Sequence, residues 1–543
     1  MSATIPITVS SSGELVVSQC TCADDTIPAQ RTVSASPGLP ALARSTAQHS
    51  WQNSYGQILK SSALVGGSQV ANIAIGIVRT KAMAILLGPA GFGLFGLYGS
   101  IQNLTQSVAG MGINSSGVRQ IAEAAGSGDK CRIAQTAAVL RRAAIVLGLL
   151  GAALLLVFSH PISQLTFGST GRAASVSLLA VAVFFGLVSG GQGALIQGMR
   201  RIADLAKMNV LSAFFGLCAG IPLVYFFREK GVVPALVVVA GASIMTSWWY
   251  SRKIDIQPAA VTLSQVRQEA SALLKLGSAF MASGLMMMGT AYAVRTMILR
   301  SLGFADTGLY QSAWTIGGLY VGFILQAMAA DFYPRLTASI HDHKECNRLV
   351  NEQTLIGLIL SGPGVLATLT FAPIVIALLY SAEFGGAVPV LRWLCLGTAL
   401  QVITWPMGFI IVAKGNQKIF FLAELAWTVV AIGLAWLCLR FFGLSGAGIA
   451  FFASYVFHAF LIYPIVRQLT GFHWSRASIK TGVIFLSLIA IVFGAFYVFS
   501  LTVSTLIGVL STIASAVYST RLLLTLIPFD HLPGPIRRLT GCL

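Results

Sequence analysis

Acidic residues are what this chain has least of. Only 17 Asp and Glu stand among 543 residues, against 35 Lys and Arg, and charged residues of both signs make up 10% of the sequence. A soluble domain carries about 25% charged residues. With a mean hydropathy of +0.80, that scarcity excludes an ordinary soluble globule and predicts an integral membrane protein. The net charge of +18 would hint at nucleic acid in a soluble protein. Here it fits basic residues that flank membrane helices and face anionic lipid, so no nucleic-acid partner is expected.

Paired cysteines are also missing. The eight cysteines are scattered without metal or disulfide spacing, Cys20-Thr-Cys22 is isolated, and the terminal Gly-Cys-Leu is not a prenylation box. "HDHK" at 341–344 reads as a solvated loop. No nucleotide-binding P-loop occurs, and neither His160 nor His458 has an acid nearby in sequence. The expectation is therefore no catalytic residue, no metal and no cofactor: a transporter rather than an enzyme, not driven directly by ATP. Residues 1–50, rich in Ser, Thr, Ala and Pro, lack the basic start and apolar centre of a signal peptide and read as a disordered cytoplasmic tail.

What the chain does have is apolar length. A helix needs about 20 apolar residues to span the hydrocarbon. Fourteen candidate spans follow, at approximately 58–84, 90–115, 135–158, 173–197, 205–227, 232–251, 272–300, 307–333, 354–379, 387–413, 419–441, 444–468, 480–500 and 503–527. With the N-terminus inside, 26 Lys and Arg fall on the inner side and 9 on the outer. That bias places both termini in the cytoplasm. Four of the outer cations, Arg79, Lys81, Arg295 and Arg300, lie within or at the ends of apolar runs, where a charge costs about 2.5–3.5 kcal/mol at the bilayer centre.

The chain also repeats itself. Gly88 aligns with Gly303 at an offset of 215, bringing Ala90 onto Ala305, Gly93 onto Gly308 and Leu94 onto Leu309. "GVRQ" (117–120) meets "YPRL" (333–336) at 216, and "RIADLA" (201–206) meets "KIFFLA" (418–423) at 217. Six helices per copy keep the orientation, so the copies are parallel and enclose a cleft at their interface. The expected fold is an all-α polytopic membrane protein with two parallel six-helix lobes, 51–255 and 256–470, around a central cavity. An extra helix pair (471–527) and a cytoplasmic tail (528–543) complete it.

"LLGPAGFGLFG" (86–96), "FYPRL" (332–336) and "VAKGNQKIFFLAE" (412–424) resemble the multidrug/oligosaccharidyl-lipid/polysaccharide exporter superfamily. Within its polysaccharide transporter branch, the likeness is to the Wzx-type O-antigen and common-antigen flippases, over about residues 58–470. The resemblance implies flipping of undecaprenyl-pyrophosphate-linked oligosaccharide across a bacterial inner membrane. It also implies membrane lipid as surroundings, and a polysaccharide polymerase and chain-length proteins as candidate partners. The long N-terminal tail and the last two helices depart from relatives with twelve spans. A lipid II flippase and a cation-coupled drug exporter are the alternatives, and a non-transporting scaffold is disfavoured by the intramembrane charges.

Duplication places Lys81 and Arg295 on equivalent helices, as a basic pair for pyrophosphate on opposite cavity walls, with Arg79 as a further candidate. Arg forks onto phosphate oxygens, whereas Lys acts as a point charge. Arg300, close to the turn, fits snorkelling to lipid phosphate. Gln102, Gln106, Arg141, Gln311 and Lys414 are candidate head-group or glycan contacts, since amides suit sugar hydroxyls. Asp331 and Glu424 are candidate coupling acids, with pairing to Arg335 or Lys418 as the plainer account. The first lobe has no membrane-embedded carboxylate, which argues against a cation-coupled drug site there.

Overall fold

The computed structural model of the protein describes residues 42–127, 129–256 and 263–526. Lipid offers the backbone no hydrogen-bond partners, so a spanning chain must satisfy its own N–H and C=O groups. Accordingly every regular element among the described residues is helical. The first half holds α1 (Leu42–Gly110), α2 (Ile113–Gly126), α3 (Lys130–Val157), α4 (Ser159–Phe167), α5 (Ala173–Gly198), α6 (Ile202–Phe227) and α7 (Val232–Ser251). The second holds α8 (Leu263–Leu302), α9 (Phe304–Ala338), α10 (His343–Thr370), α11 (Ala372–Leu379), α12 (Val388–Ala413), α13 (Gln417–Phe442) and α14 (Ser445–Thr470). The last pair, α15 (Arg476–Val498) and α16 (Leu501–Leu526), packs against α10.

Among the described residues, ten stretches are long and apolar enough to cross a membrane. Two of them, 67–110 and 202–251, each contain two helical segments. Because α8 and α9 fall outside that set, apolar length alone does not establish fourteen spans. Three local expectations need correction. The tail expected over 1–50 is helical from Leu42, in a stretch whose residues after Pro40 contain no helix breaker before Gly56; residues 1–41 and 527–543 lie outside the described residues. The second span stops at Gly110, where Met111 (φ 44°) and Gly112 (φ 68°) turn left-handed and redirect the chain into α2. The ninth is divided at Phe371, leaving α11 as a separate short helix.

The repeat is visible in the backbone residue by residue. Helices α5 and α12 begin and end 215 positions apart, as do α6 and α13, while α3 and α10 are offset by 213. Gly88 (φ 62°, ψ −175°) and Gly303 (φ 97°, ψ −175°) make the same turn. After α5 and α12, Arg200 (φ 56°) and Gly415 (φ 70°) occupy the same left-handed position. There Arg201 N donates to Ile196 O at 3.1 Å and Asn416 N to Ile411 O at 3.3 Å, closing both helices with the same wide loop. These pairs set "RIADLA" against the chain at 215 rather than 217, so Arg201 corresponds to Asn416.

Where the copies meet, the contact is its own image. Pro89 starts the second half of α1, a position where its missing N–H is harmless. Four residues on, Gly93 lies against α9. A methyl group built on Gly93 would sit 2.7 Å from Gly308 N and overlap Phe304 O; one on Gly308 would sit 3.0 Å from Gly93 N and overlap Pro89 O. Pro89 and Phe304 are themselves repeat partners, so a pseudo-two-fold axis passes between Gly93 and Gly308. The helices cross with no side chain between them.

Gly93→Ala and Gly308→Ala should each force this crossing apart, at a cost of about 1–3 kcal/mol. Gly99 lies on the same helix with nothing within 4 Å of a built methyl. Thermal unfolding in detergent should therefore show a lowered Tm for the first two variants and no loss for Gly99→Ala. Equal Tm for all three would contradict the crossing.

Candidate functional site

Below the crossing, a charge is buried without a counter-charge. Arg295, on α8, is 6% exposed. Its Nε donates to Gln311 Oε1 at 2.6 Å and its Nη1 to Ala291 O at 2.9 Å, and its guanidinium lies about 6 Å from the rings of Tyr310 and Trp314. No acidic partner reaches it among the described residues. Gln311 can stand there because its repeat partner is Gly96: a methyl on Gly96 would sit 2.8 Å from Gln311 Oε1. One copy supplies the amide and the other supplies the space. A guanidinium has five N–H donors, so the site keeps more hydrogen-bonding capacity than the protein uses.

Lys81 sits elsewhere. Its Nζ donates to Leu378 O at 2.6 Å, in the last turn of α11. Arg300 Nη2 donates to Gln164 O and, at 2.6 Å, to Leu165 O, in the last turn of α4. Leu165 and Leu378 are repeat partners at the local offset of 213. A cation from each half therefore caps the C-terminal carbonyls of a short helix in the other half, where the helix dipole is negative, and on Gln164 O Arg300 joins the Gly168 N–H that closes α4. The partner of Lys81 in this arrangement is Arg300, not Arg295 as the turn spacing implied. Aromatic contacts close the same end: Phe92 meets Tyr380 and Phe384 edge-on at 5.4 and 5.8 Å, and Phe167 stacks on Phe304 at 6.4 Å. Arg172 lies 4.9 Å over the Phe304 ring.

Arg79 is half-buried and makes no hydrogen bond or ion pair among the described residues. Arg141 is exposed, away from these contacts. Lys414 Nζ is 3.1 Å from His343 Nε2, tying the end of α12 to the start of α10; the "HDHK" segment thus contributes a helix-end contact, and no metal-holding group occurs among the described residues. The Asp331 side chain lies outside the described residues. Glu424 is half-buried on α13 and forms no ion pair with Lys418.

Gln102 and Gln106 do come together, in a chamber of about 700 Å³ inside the first half. Asn114, Gln197, Asn209 and Ser243 also line it, and none of the lining residues is charged. Gln106 Nε2 donates to Ala182 O at 3.4 Å and packs on Gly186. Asn114 and Gln197, near the ends of α2 and α5, and Asn209, two turns into α6, are exposed, so the chamber opens at the end opposite the glycine crossing.

Comparison with known proteins agrees with this architecture. The lipid III flippase of Escherichia coli K12 is 24% identical over 418 residues, covering 74% of this chain and 95% of that protein. Among solved structures, the lipid II flippase MurJ in an inward closed conformation superposes with a TM-score of 0.64 at 14% identity, over 85% of this chain and all of that one. An inward-facing MATE family multidrug resistance transporter of the MOP superfamily superposes at 0.60 and 17% identity, over 74% of this chain and 99% of that one. These likenesses establish the fold: two helical lobes with a helix pair added. Residues 82–389, more than half of the sequence and spanning the glycine crossing, Arg295 and the Arg300 cap, match the family described as polysaccharide biosynthesis protein, and the chain belongs to that family.

Proposed function

We propose that this protein flips undecaprenyl-pyrophosphate-linked oligosaccharide from the cytoplasmic to the periplasmic leaflet of a bacterial inner membrane, for surface polysaccharide synthesis. The observation that carries this reading is Arg295: a guanidinium buried in the membrane with aromatic walls, an amide partner and no acid among the described residues. Leaving such a charge unpaired is costly, and an anionic head group is the partner that would use its spare donors. The Escherichia coli relative named as a lipid III flippase supports the substrate class. A membrane potential favours the direction, since each elementary charge crossing 100 mV contributes about 2.3 kcal/mol and the pyrophosphate is negative.

The lobes, 51–255 and 256–470, rock about the glycine crossing, and both termini lie in the cytoplasm. Lys81 and Arg300 act in this cycle as latches on the outer end. Asp331 and Glu424 remain the candidates for coupling to an ion, and a polysaccharide polymerase is the natural acceptor of the product. The likeness to MurJ keeps a lipid II flippase as the second reading.

Deletion of the gene should leave lipid-linked oligosaccharide on the cytoplasmic leaflet while peptidoglycan synthesis continues. Normal export after deletion would refute the main reading, and arrested peptidoglycan synthesis would favour the second. Arg295→Gln should slow flipping at least about tenfold, the value of one or two hydrogen bonds to a charged group. Arg295→Lys should restore only part of the rate, because an ammonium cannot fork.

The latches are tested apart from the substrate. With spin labels at His160→Cys and Ala382→Cys, both exposed at the outer end, Lys81→Gln with Arg300→Gln should add a longer-distance population. Two charge-assisted hydrogen bonds amount to about 3–6 kcal/mol, enough to move a two-state balance by two orders of magnitude or more. An unchanged distance distribution would remove the latch assignment.

A further inference from the structure

The uncharged chamber in the first lobe has a counterpart in the second, where several of the equivalent positions carry larger side chains. At the offset of 215 shown by α5/α12 and α6/α13, Gly186 corresponds to Gln401, Asn209 to Glu424, Ser212 to Trp427, Ala240 to Tyr455 and Ser243 to His458. The register holds beyond those helices. A methyl on Gly231 would overlap Leu223 O and one on Gly446 would overlap Cys438 O, again 215 apart.

In the second lobe, the larger side chains pack on one another. Trp427, Tyr455 and His458 form a three-ring cluster with centroids 5.8–6.2 Å apart. In the first lobe, the same positions hold small residues. Ser212 and Ser243 bond each other at 2.7 Å, and the remaining volume is the chamber of about 700 Å³. That lies within the range of about 300–1,000 Å³ for small-molecule sites. Positions that carry larger side chains in one lobe leave open volume in the other.

The lining defines the ligand. Gln102, Gln106, Asn114, Gln197 and Asn209 present amide donors and acceptors side by side, with Ser243 adding a hydroxyl, and no formal charge lies among them. A phosphate would meet acceptors as often as donors and no cation. A lipid tail would leave the amides without partners. A neutral molecule that alternates donors and acceptors, a saccharide, satisfies both kinds of group.

We propose that this chamber is the binding site for the saccharide portion of the substrate, separate from the Arg295 site and open at the end away from the glycine crossing. The proposal rests on the flippase reading. It assigns the anion to the lobe interface and the sugars to the first lobe alone, so that the length of the glycan is sensed by one lobe.

The test uses the full-length protein in liposomes with two probes: undecaprenyl pyrophosphate carrying one N-acetylhexosamine, and the same lipid carrying three. Flipping is read by access of an enzyme confined to one side. Asn209→Leu with Gln102→Leu keeps the volume and removes the amides. Ser212→Trp with Ala240→Tyr installs the residues of the second lobe and fills the space. Each should slow the three-sugar lipid about tenfold or more and the one-sugar lipid by several-fold less. Monodisperse elution in detergent identifies variants that fold, and the leucine pair serves if the filled variant does not. If the wild type moves both lipids and the leucine pair slows neither, or slows both equally, the chamber assignment is overturned. If the wild type moves neither lipid, the flippase reading itself falls and takes this one with it.

Discussion

The contact on which the molecule depends is the crossing of α1 and α9 at Gly93 and Gly308. Helices in a bilayer gain nothing from excluding water against one another, because lipid is as apolar as leucine. They associate through close backbone approach and hydrogen bonds. Here the approach is so close that neither residue can carry a side chain. Three consequences follow from that one constraint. The backbones of the two lobes meet along a short line here, flanked by α8 packed on α1, α2 and α3. Gly96, one turn further down, leaves room for Gln311, which in turn holds the buried Arg295. And the loops above the crossing come near enough for Lys81 and Arg300 to reach carbonyls of the opposite half.

Much of this architecture was legible in the sequence, for reasons that can be named. Apolar runs must be about twenty residues long to cross lipid, so the spans announce themselves. Gly88-Pro89 and Gly303 announce their turns because few residues tolerate those angles. The offset of 215 showed the duplication. The short helices α2, α4 and α11 were invisible, since they carry neither spanning length nor a sustained pattern. The latches were hidden for a different reason: the acceptors of Lys81 and Arg300 are main-chain carbonyls, which no residue letter reports. The same blindness led the turn spacing to set Lys81 against Arg295. Both do lie at similar distances from their glycines, but what pairs the cations in space is the equivalence of Leu165 and Leu378. Gln102 and Gln106 were legible as a pair by their four-residue spacing. The chamber around them was not, because its volume is a difference between lobes: it arises from what Gly186, Ser212 and Ala240 lack relative to Gln401, Trp427 and Tyr455.

The placement of cations relative to acids decides how the cycle can turn. A cation closed against a carboxylate would be held by charge and released only by protonation. Lys81 and Arg300 close against neutral carbonyls instead, gaining the helix dipole and hydrogen bonds but no full counter-charge. A pyrophosphate oxygen offers a charge-assisted bond about twice as strong as one to a neutral acceptor. On the flippase reading proposed above, the arriving anion would draw these cations away from α11 and α4 without any change in protonation, and the outer end would loosen because the substrate has come. Arg295 sets the opposite requirement. On the same reading, a guanidinium buried with no acid among the described residues is less stable empty than occupied, so the inward-loaded state is favoured when the anion is near. Once the outer end opens, water reaches the same guanidinium and weakens its hold, since the interaction between charges falls as the effective dielectric rises. Binding is thus strong where the site is dry and weak where it is wet. A one-way path needs that asymmetry, and a chain this poor in acids can supply it with geometry alone.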